Sequence, residues 1–291
     1  KLWVRRGGYP VLSFDSLYKN DSIYFDVQQY AFPTSKVVDD TIVYTVSTAD
    51  ELSTLLEAGT SFGYKKFKVQ LSNDIVMGED SVHLSMRKTS IDTSGRCFKM
   101  NFDGQNHTIY GLNMTRAMFF CVDTNSIVEN LTIANSRFEN DYGTSAAAVA
   151  IKNGGCIRNV TVRNSLVRGG ESVGGIVAYN QGMSYGVLMN SKNENTTVMS
   201  TNIAGGIAGE SYGVLQNLNN SGRVYGRVAG GIVGYAYKVS NGDPAYVGKN
   251  TNTGMVLVSG ESSVSGGGIA GYSHKATVSG VFNTGLVEGA S

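Results

Sequence analysis

The sequence has little charge, few cysteines and no long apolar run, and each shortage excludes a class of protein. Charged residues make up only 16% of the 291 residues and the formal net charge is +1, so neither nucleic acid nor an acidic membrane is a predicted partner. No apolar run approaches the roughly 18–20 residues that span a bilayer. Three cysteines are too few for a disulfide framework, and no CxxC or Cys/His cluster indicates a metal site. No cofactor is predicted.

Glycine, by contrast, is abundant, with 37 residues, and much of it lies in a recurring phrase. The copies are VGGIVAYN from Val173, AGGIAGES from Ala204, AGGIVGYAY from Ala229 and GGGIAGYS from Gly266. A phosphate-binding loop is needed once, and its glycines should follow a strand and open a helix. Four copies without that context indicate a repeated architecture instead, with the paired glycines at a corner of the chain.

A second phrase repeats independently and is centred on asparagine. Its copies are separated by 24 to 33 residues, so both phrases agree on a unit of about 30 residues. Short alternating strands and Gly, Asn or Ser turns fill each unit, which is typical of a solenoid whose coils stack on one another. We interpret the asparagines as a structural ladder rather than a polar ligand site. The predicted ladder contains Asn106, Asn130, Asn159, Asn190, Asn217 and Asn250.

The phrase GGIVGY followed by an NxGxV strand resembles the GLUG-motif repeat. That repeat occurs in secreted or surface proteins of bacteria, including the amino-terminal regions of some immunoglobulin A peptidases. FDGQNHTIYGLNM is similar to the opening coil of such proteins, and GGYPVL to the tail of a preceding repeat block. The resemblance covers about residues 40–291. It implies an all-β fold, a right-handed parallel β-helix (solenoid), and says almost nothing about activity.

The domain organisation follows from where the repeats begin. Residues 1–40 are expected to be a leader or small β unit, in which LYKNDSIYFDVQQYAF alternates like a strand pair. Residues 41–95 form an amino-terminal cap with an amphipathic helix over 48–58, where Thr48 and Glu51 have capping-box spacing. Residues 96–291 form about seven coils. Both ends look like cuts within a longer parent chain.

Three tyrosines close the Gly-Gly phrases and are the candidate ligand contacts. Tyr179, Tyr235 and Tyr272 are expected to form an outward stripe, which would either bind sugar rings or only stiffen a corner by stacking.

Cys97 and Cys121 have the same spacing as Asn106 and Asn130, which puts them on adjacent coils. They are predicted to be either a disulfide or two buried thiols.

Acidic residues are sparse in the repeats, and none is predicted to pair on one face. We therefore predict that the chain is not an enzyme but an extracellular module, secreted or at the cell surface. It would act as a stalk or adhere to carbohydrate or to host or matrix glycoproteins, without membrane contact. The alternative is a polysaccharide-degrading β-helix, a lyase or hydrolase, which paired acids in one groove would favour. The acids considered are Glu171, Glu194, Glu210, Asp243, Glu261 and Glu288.

Overall fold

The structure, a computed structural model, describes residues 3–6, 9–12, 33–58, 67–78, 97–140, 143–181, 186–238, 244–260 and 264–289. Over these residues the fold is all-β, with one helix and mostly parallel sheets. The elements before residue 97 are β1 (Trp3–Arg6), β2 (Tyr9–Leu12), β3 (Thr34–Val38), β4 (Thr41–Val46), α1 (Ala49–Ala58), β5 (Phe67–Leu71) and β6 (Ile75–Val76).

The remaining strands are short and follow one another closely. The first group is β7 (Asn101–Asp103), β8 (Thr108–Tyr110), β9 (Asn113–Met114), β10 (Phe119–Val122), β11 (Ile127–Ala134), β12 (Arg137–Glu139), β13 (Ala146–Ala147), β14 (Ala150–Asn153), β15 (Cys156–Arg163), β16 (Leu166–Gly169), β17 (Ser172–Gly174) and β18 (Val177–Asn180). The second group is β19 (Val187–Met189), β20 (Lys192–Glu194), β21 (Thr197–Ser200), β22 (Ile203–Gly205), β23 (Ala208–Ser211), β24 (Val214–Gln216), β25 (Asn219–Asn220), β26 (Arg223–Gly226), β27 (Val228–Gly230), β28 (Val233–Tyr237), β29 (Tyr246–Gly248), β30 (Thr251–Asn252), β31 (Met255–Val258), β32 (Ser265–Gly267), β33 (Ala270–His274), β34 (Thr277–Ser279), β35 (Phe282–Asn283) and β36 (Val287–Gly289).

Four sheets contain all of these strands except β1 and β2, which pair with each other. Sheet 1 consists of β3 to β8, β11, β15, β19, β20, β24, β25, β29, β30, β34 and β35. Sheet 2 consists of β9, β12, β16, β21, β26, β31 and β36, and sheet 3 of β13, β17, β22, β27 and β32. Sheet 4 consists of β10, β14, β18, β23, β28 and β33.

From β11 onward the chain visits sheets 1, 2, 3 and 4 in that order and then returns to sheet 1. We call one such passage a repeat unit. Each strand pairs in parallel with its counterpart in the next unit; Ile127 to Ala134 of β11, for example, pair with Cys156 to Arg163 of β15. This connectivity is compatible with a β-helix.

The core lies between the sheets and is built from equivalent residues of successive units. Ile176, Ile207 and Ile232, from three Gly-Gly phrases, are fully buried, as the repeat pattern predicts. Ile269, from the last phrase, is only partly buried against the same core. Because each unit leaves one apolar side open, the residues of one unit are buried by those of the next.

Helix α1 begins at the predicted capping box, which is confirmed. The Glu51 amide donates to Thr48 Oγ1 at 3.2 Å, and the Thr48 amide donates to Glu51 Oε2 at 3.2 Å. The two side chains thus satisfy amides that no helical carbonyl can reach. On its apolar face, Leu52, Leu55 and Leu56 are buried within the main core.

The predicted boundary at residue 40 needs correction. Strands β3 and β4 form an antiparallel hairpin, and the boundary cuts through its turn at Asp39 and Asp40. Strand β4 pairs in parallel with β5, and β5 with β7, so sheet 1 continues past the second predicted boundary near 96. The alternating stretch before residue 33 lies outside the described residues.

The predicted asparagine ladder needs one correction, at Asn250. Each of the other five ladder residues has φ between 51° and 63°, the left-handed region that Asn tolerates best after Gly. Strand pairing aligns Gln216 with Gly248, so Lys249, with φ of 55°, occupies the next position in this column. Asn250 is instead buried, where its Oδ1 accepts from the Leu218 amide and its Nδ2 donates to the Leu215 carbonyl.

Candidate functional site

The predicted tyrosines lie in one column across sheet 4. Strand register aligns Lys152 with Tyr179, Tyr179 with Glu210, Glu210 with Tyr235, and Tyr235 with Tyr272. Neighbours in such a column are one strand spacing apart, about 4.8 Å. The stripe is therefore interrupted: Glu210 occupies the position at which the units on either side carry tyrosine. We call these five residues the sheet 4 column.

Aromatic contacts are concentrated at the carboxyl-terminal half of the column. The rings of Tyr235 and Tyr272 lie 4.5 Å apart, centroid to centroid, at an interplanar angle of 32°. Tyr272 is 41% exposed, whereas Tyr235 is half-buried. Tyr237 contacts Tyr235 edge-on at 5.7 Å and Tyr212 at 3.9 Å. The result is an aromatic surface of four rings, of which Tyr272 is the most open to ligand.

The Glu210 carboxylate is held beside these rings. Tyr237 Oη donates to Glu210 Oε2 at 2.8 Å, a bond from the next repeat unit along the stack. Glu210 is itself half-buried. The carboxyl group is thus fixed in position at the edge of an aromatic surface.

A second carboxylate, Glu171, reaches the same site from the turn between β16 and β17. Ser145 Oγ donates to Glu171 Oε2 at 3.3 Å and lies 3.0 Å from Tyr179 Oη. Tyr179 also packs on a small apolar cluster around Ala178 and Ile151. Glu171 is exposed, so one acid of the site faces solvent while the other is largely withdrawn from it.

Burial and the two acids determine the protonation of the site. Burial, reinforced by the charge of Glu171 and partly offset by the Ser172 hydroxyl, raises the pKa of Glu210 to about 7. Burial and the Glu210 charge raise the pKa of Tyr212 to about 12. Burial also raises the pKa of Tyr179. Near neutral pH, Glu210 therefore exists in both forms and is able to donate or accept a proton.

Glu210→Gln is expected to remove a pH dependence of stability. The ordinary pKa of 4.5 applies to the unfolded chain, so the folded state, with its pKa of about 7, loses stability as pH rises between these values. After allowance for solvent screening, the wild type should lose about 1 to 2 kcal/mol between pH 5 and 8. Thermal melts of both proteins across this range test it. An equal pH dependence in the two proteins would contradict it.

Sequence reasoning did not bring Glu171 and Glu210 together, although the charge of Glu171 raises the pKa of Glu210. The two lie in adjacent repeat units but in different parts of them: Glu171 precedes β17, and Glu210 lies within β23. Only the stacking of units makes them neighbours. The sequence feature that could have indicated this site is Glu210, which stands in its Gly-Gly phrase where the other three copies have tyrosine.

The outward asparagines bond to each other along the stack. Asn159 Nδ2 donates to Asn130 Oδ1 at 3.0 Å, and Asn217 Nδ2 donates to Asn190 Oδ1 at 2.8 Å. Asn106 joins the column through its backbone amide, which donates to the Asn130 carbonyl. These hydrogen bonds give the side-chain amides partners at the corners, where the asparagines have positive φ angles.

Cys97 and Cys121 form a disulfide in the structure, with Cα atoms 4.4 Å apart. Cys156 is a free, half-buried thiol whose pKa is raised by burial.

In the described part of the chain, no three His, Cys, Asp or Glu residues form a group that could hold a metal ion. In the same part, no helix has the length and hydropathy to cross a membrane.

The fold is similar to that of a crystal structure from Bacteroides ovatus named "putative immunoglobulin A1 protease". The TM-score is 0.62 and the sequence identity 19%, over 89% of this chain and 80% of that chain. No protein-family model matches the sequence, and no curated protein matches it. At this identity the likeness shows a shared fold.

The comparison corrects the prediction that the chain is not an enzyme. That prediction took the repeat fold and the lack of paired acids as signs of a module without catalysis. A protein with this fold is named as a protease, and the charge of Glu171 acts on Glu210. An enzyme is therefore among the functions to be considered.

Proposed function

We propose that the four sheets are the faces of a right-handed parallel β-helix of about seven coils, with α1 covering its first coil. The in-register parallel pairing of successive repeat units and the burial of α1 leucines support this architecture. At about 4.8 Å per coil, the stack would be roughly 30–35 Å long. Such a rod presents each column of side chains as a straight line.

The setting we propose is extracellular, secreted or at a bacterial cell surface. The GLUG-like repeats and the name of the Bacteroides ovatus protein support a bacterial protein that acts outside the cell. The Cys97–Cys121 disulfide also suits an oxidising compartment. The chain would then be one region of a longer parent protein.

The function supported best is binding of carbohydrate, free or on host and matrix glycoproteins, at the sheet 4 column. The observation that carries it is the contact between Tyr235 and Tyr272, with Tyr272 open to solvent. Tyrosine rings stack on the CH faces of sugars, and their hydroxyls bond to sugar hydroxyls. The rings of Tyr235 and Tyr272 pack nearly face to face, so Tyr235 supports Tyr272 and a sugar would contact mainly the exposed part of Tyr272.

Loss of these rings should abolish binding. A panel of immobilised glycans, mucins and matrix proteins is tested with the wild type and with a Tyr179, Tyr235 and Tyr272→Ala triple variant. We expect affinity to fall at least about tenfold for each ring that contacts the ligand, or about 1.4 kcal/mol.

Tyr225→Ala is the matched control for this experiment. Tyr225 is half-exposed like Tyr235 but lies on sheet 2, so its removal should leave binding unchanged. Binding that survives the triple variant, or that falls equally in the control, would contradict the proposed surface. A ligand held elsewhere, for example by the segment around 237–247, would then be indicated; part of that segment lies outside the described residues.

Polysaccharide degradation is the second candidate, and a specific observation favours it. A binding surface has no need of two acids at one site, whereas cleavage of a glycosidic bond does. Glu171 and Glu210 are close enough for the charge of one to raise the pKa of the other.

A further inference from the structure

The feature that binding leaves unexplained is the carboxyl group in the middle of the column. A tyrosine at 210 would continue the stack between Tyr179 and Tyr235. The chain instead places a half-buried acid there and bonds it to Tyr237. Burying a carboxyl group costs free energy, so a carboxyl group in an aromatic surface calls for a chemical reason.

We propose that Glu210 and Glu171 are the proton donor and the base of a glycan-hydrolysing site, with the sugar held on Tyr235 and Tyr272. This inference rests on the proposed binding of carbohydrate at the sheet 4 column. It assigns a role to each acid from its surroundings: the half-buried acid donates a proton, and the solvent-facing acid activates water.

The reaction consumes one water molecule. The Glu210 carboxyl group gives its proton to the glycosidic oxygen as the bond from that oxygen to the anomeric carbon breaks, and the released sugar leaves as an alcohol. The Glu171 carboxylate takes a proton from water, whose oxygen bonds to the anomeric carbon. Transfer of that proton to solvent restores Glu171, and Glu210 takes a proton back from solvent.

The surroundings of both acids suit these roles. Glu210 remains protonated in a large fraction of molecules near pH 7, because its pKa is raised to about 7. Glu171 is exposed, so water reaches it, and its Oε2 is oriented by the Ser145 hydroxyl at 3.3 Å. The Ser145 contact with Tyr179 fixes that hydroxyl in turn.

A glycan fits this set of groups better than a peptide does. Acetal cleavage requires protonation of the leaving oxygen, which Glu210 supplies, and assistance to an attacking water, which Glu171 supplies. The aromatic rings beside Glu210 match the apolar face of a sugar ring. Peptide hydrolysis at this site is the competing outcome, which the products distinguish.

The test measures cleavage and binding on the same samples. Gastric mucin, xylan, laminarin and chondroitin sulfate are incubated with the wild type, Glu210→Gln, Glu171→Gln and the control Glu194→Gln. Glu194 lies on sheet 1 beside Lys192, away from the column. New reducing ends, new amino termini and bound glycan are each quantified, and thermal melts check that every variant is folded.

We expect the wild type to release reducing ends from at least one polymer. Glu210→Gln and Glu171→Gln should each lower the rate about 10²- to 10⁴-fold while retaining binding, and Glu194→Gln should match the wild type. The wild-type rate should fall about tenfold per pH unit above pH 7, because the proton on Glu210 is then lost.

Three results would overturn the inference: bound glycan without new reducing ends, an unsaturated sugar product of a lyase, or new amino termini alone. A folded Glu210→Gln variant that cleaves as fast as the wild type would also overturn it. If no polymer binds at all, the proposed binding function fails first, and the catalytic inference fails with it. The binding data therefore separate the two failures.

Discussion

Gly205→Ala is expected to prevent the chain from folding or to lower its free energy of unfolding by at least about 4 kcal/mol. Gly205 is the first glycine of its Gly-Gly phrase, at the corner between sheets 3 and 4. A methyl group there would collide with the carbonyl oxygen of Ala208 and with the amide nitrogen of Gly234 in the next repeat unit. Both are backbone atoms, so no rotamer change relieves the collision.

Gly289→Ala is the control for this substitution. Gly289 also lies in a strand, but an added Cβ would meet no heavy atom within 4 Å. Circular dichroism and urea unfolding compare the two variants with the wild type. A Gly205→Ala protein that unfolds like the control would mean that the corner is wider than described, and the stacking of the units would need revision.

Asn220→Ala is expected to lower the free energy of unfolding by about 3 kcal/mol. Asn220 is fully buried and belongs to a second, inner column of asparagines. Its Oδ1 accepts from Asn193 Nδ2 at 2.9 Å and from the Gly222 amide, while its Nδ2 donates to Asn252 Oδ1 at 2.8 Å. Alanine would leave each of these buried groups with one hydrogen-bond partner fewer. A buried donor or acceptor that loses its partner, with no water in its place, lowers the free energy of unfolding by about 1 to 3 kcal/mol.

Asn219→Ala, one residue earlier in the same strand, is the matched control. Asn219 is half-exposed, so water can reach its side chain, whereas Asn220 is fully buried. Chemical denaturation should show a loss for Asn220→Ala and a change within about 0.5 kcal/mol for Asn219→Ala. Equal effects at the two positions would show that the inner column does not stabilise the stack.

The repeat architecture was predictable because it depends on local spacing. Gly-Gly phrases and asparagines recur at similar intervals and define a unit, and parallel pairing of successive units follows from the strand pattern that they share. Local spacing is misleading at one position, where the asparagine lies one residue later than the outer column requires. The phrase ending VGKN suggests Asn250 for the outer column, yet the strand pairing puts Lys249 there and turns Asn250 inward.

The inner asparagine column has its own signal in the sequence, which the predicted ladder misses. NSG, NTG and NTG begin at Asn220, Asn252 and Asn283; Asn220 donates to Asn252, and Asn252 donates to Asn283. The phrase resembles a simple turn, because Asn and Gly favour turns. Only burial distinguishes a turn residue from a ladder residue, and burial depends on the neighbouring units.

The candidate site was less predictable than the fold for a related reason. The tyrosines share a position in a repeated phrase, so their alignment follows from the unit alone. The site also takes Glu171, Ser145 and Tyr237 from three other places in the unit. Their convergence depends on how far each side chain reaches across neighbouring units, which no spacing in the sequence expresses.

A crystal structure of Glu210→Gln would show whether the sheet 4 column is a glycan site. The crystals would contain an oligosaccharide of the polymer bound most tightly in the panel. We expect a sugar ring against Tyr235 and Tyr272, with a glycosidic oxygen within hydrogen-bond distance of residue 210. An oligosaccharide bound on another sheet, with the column free, would contradict it.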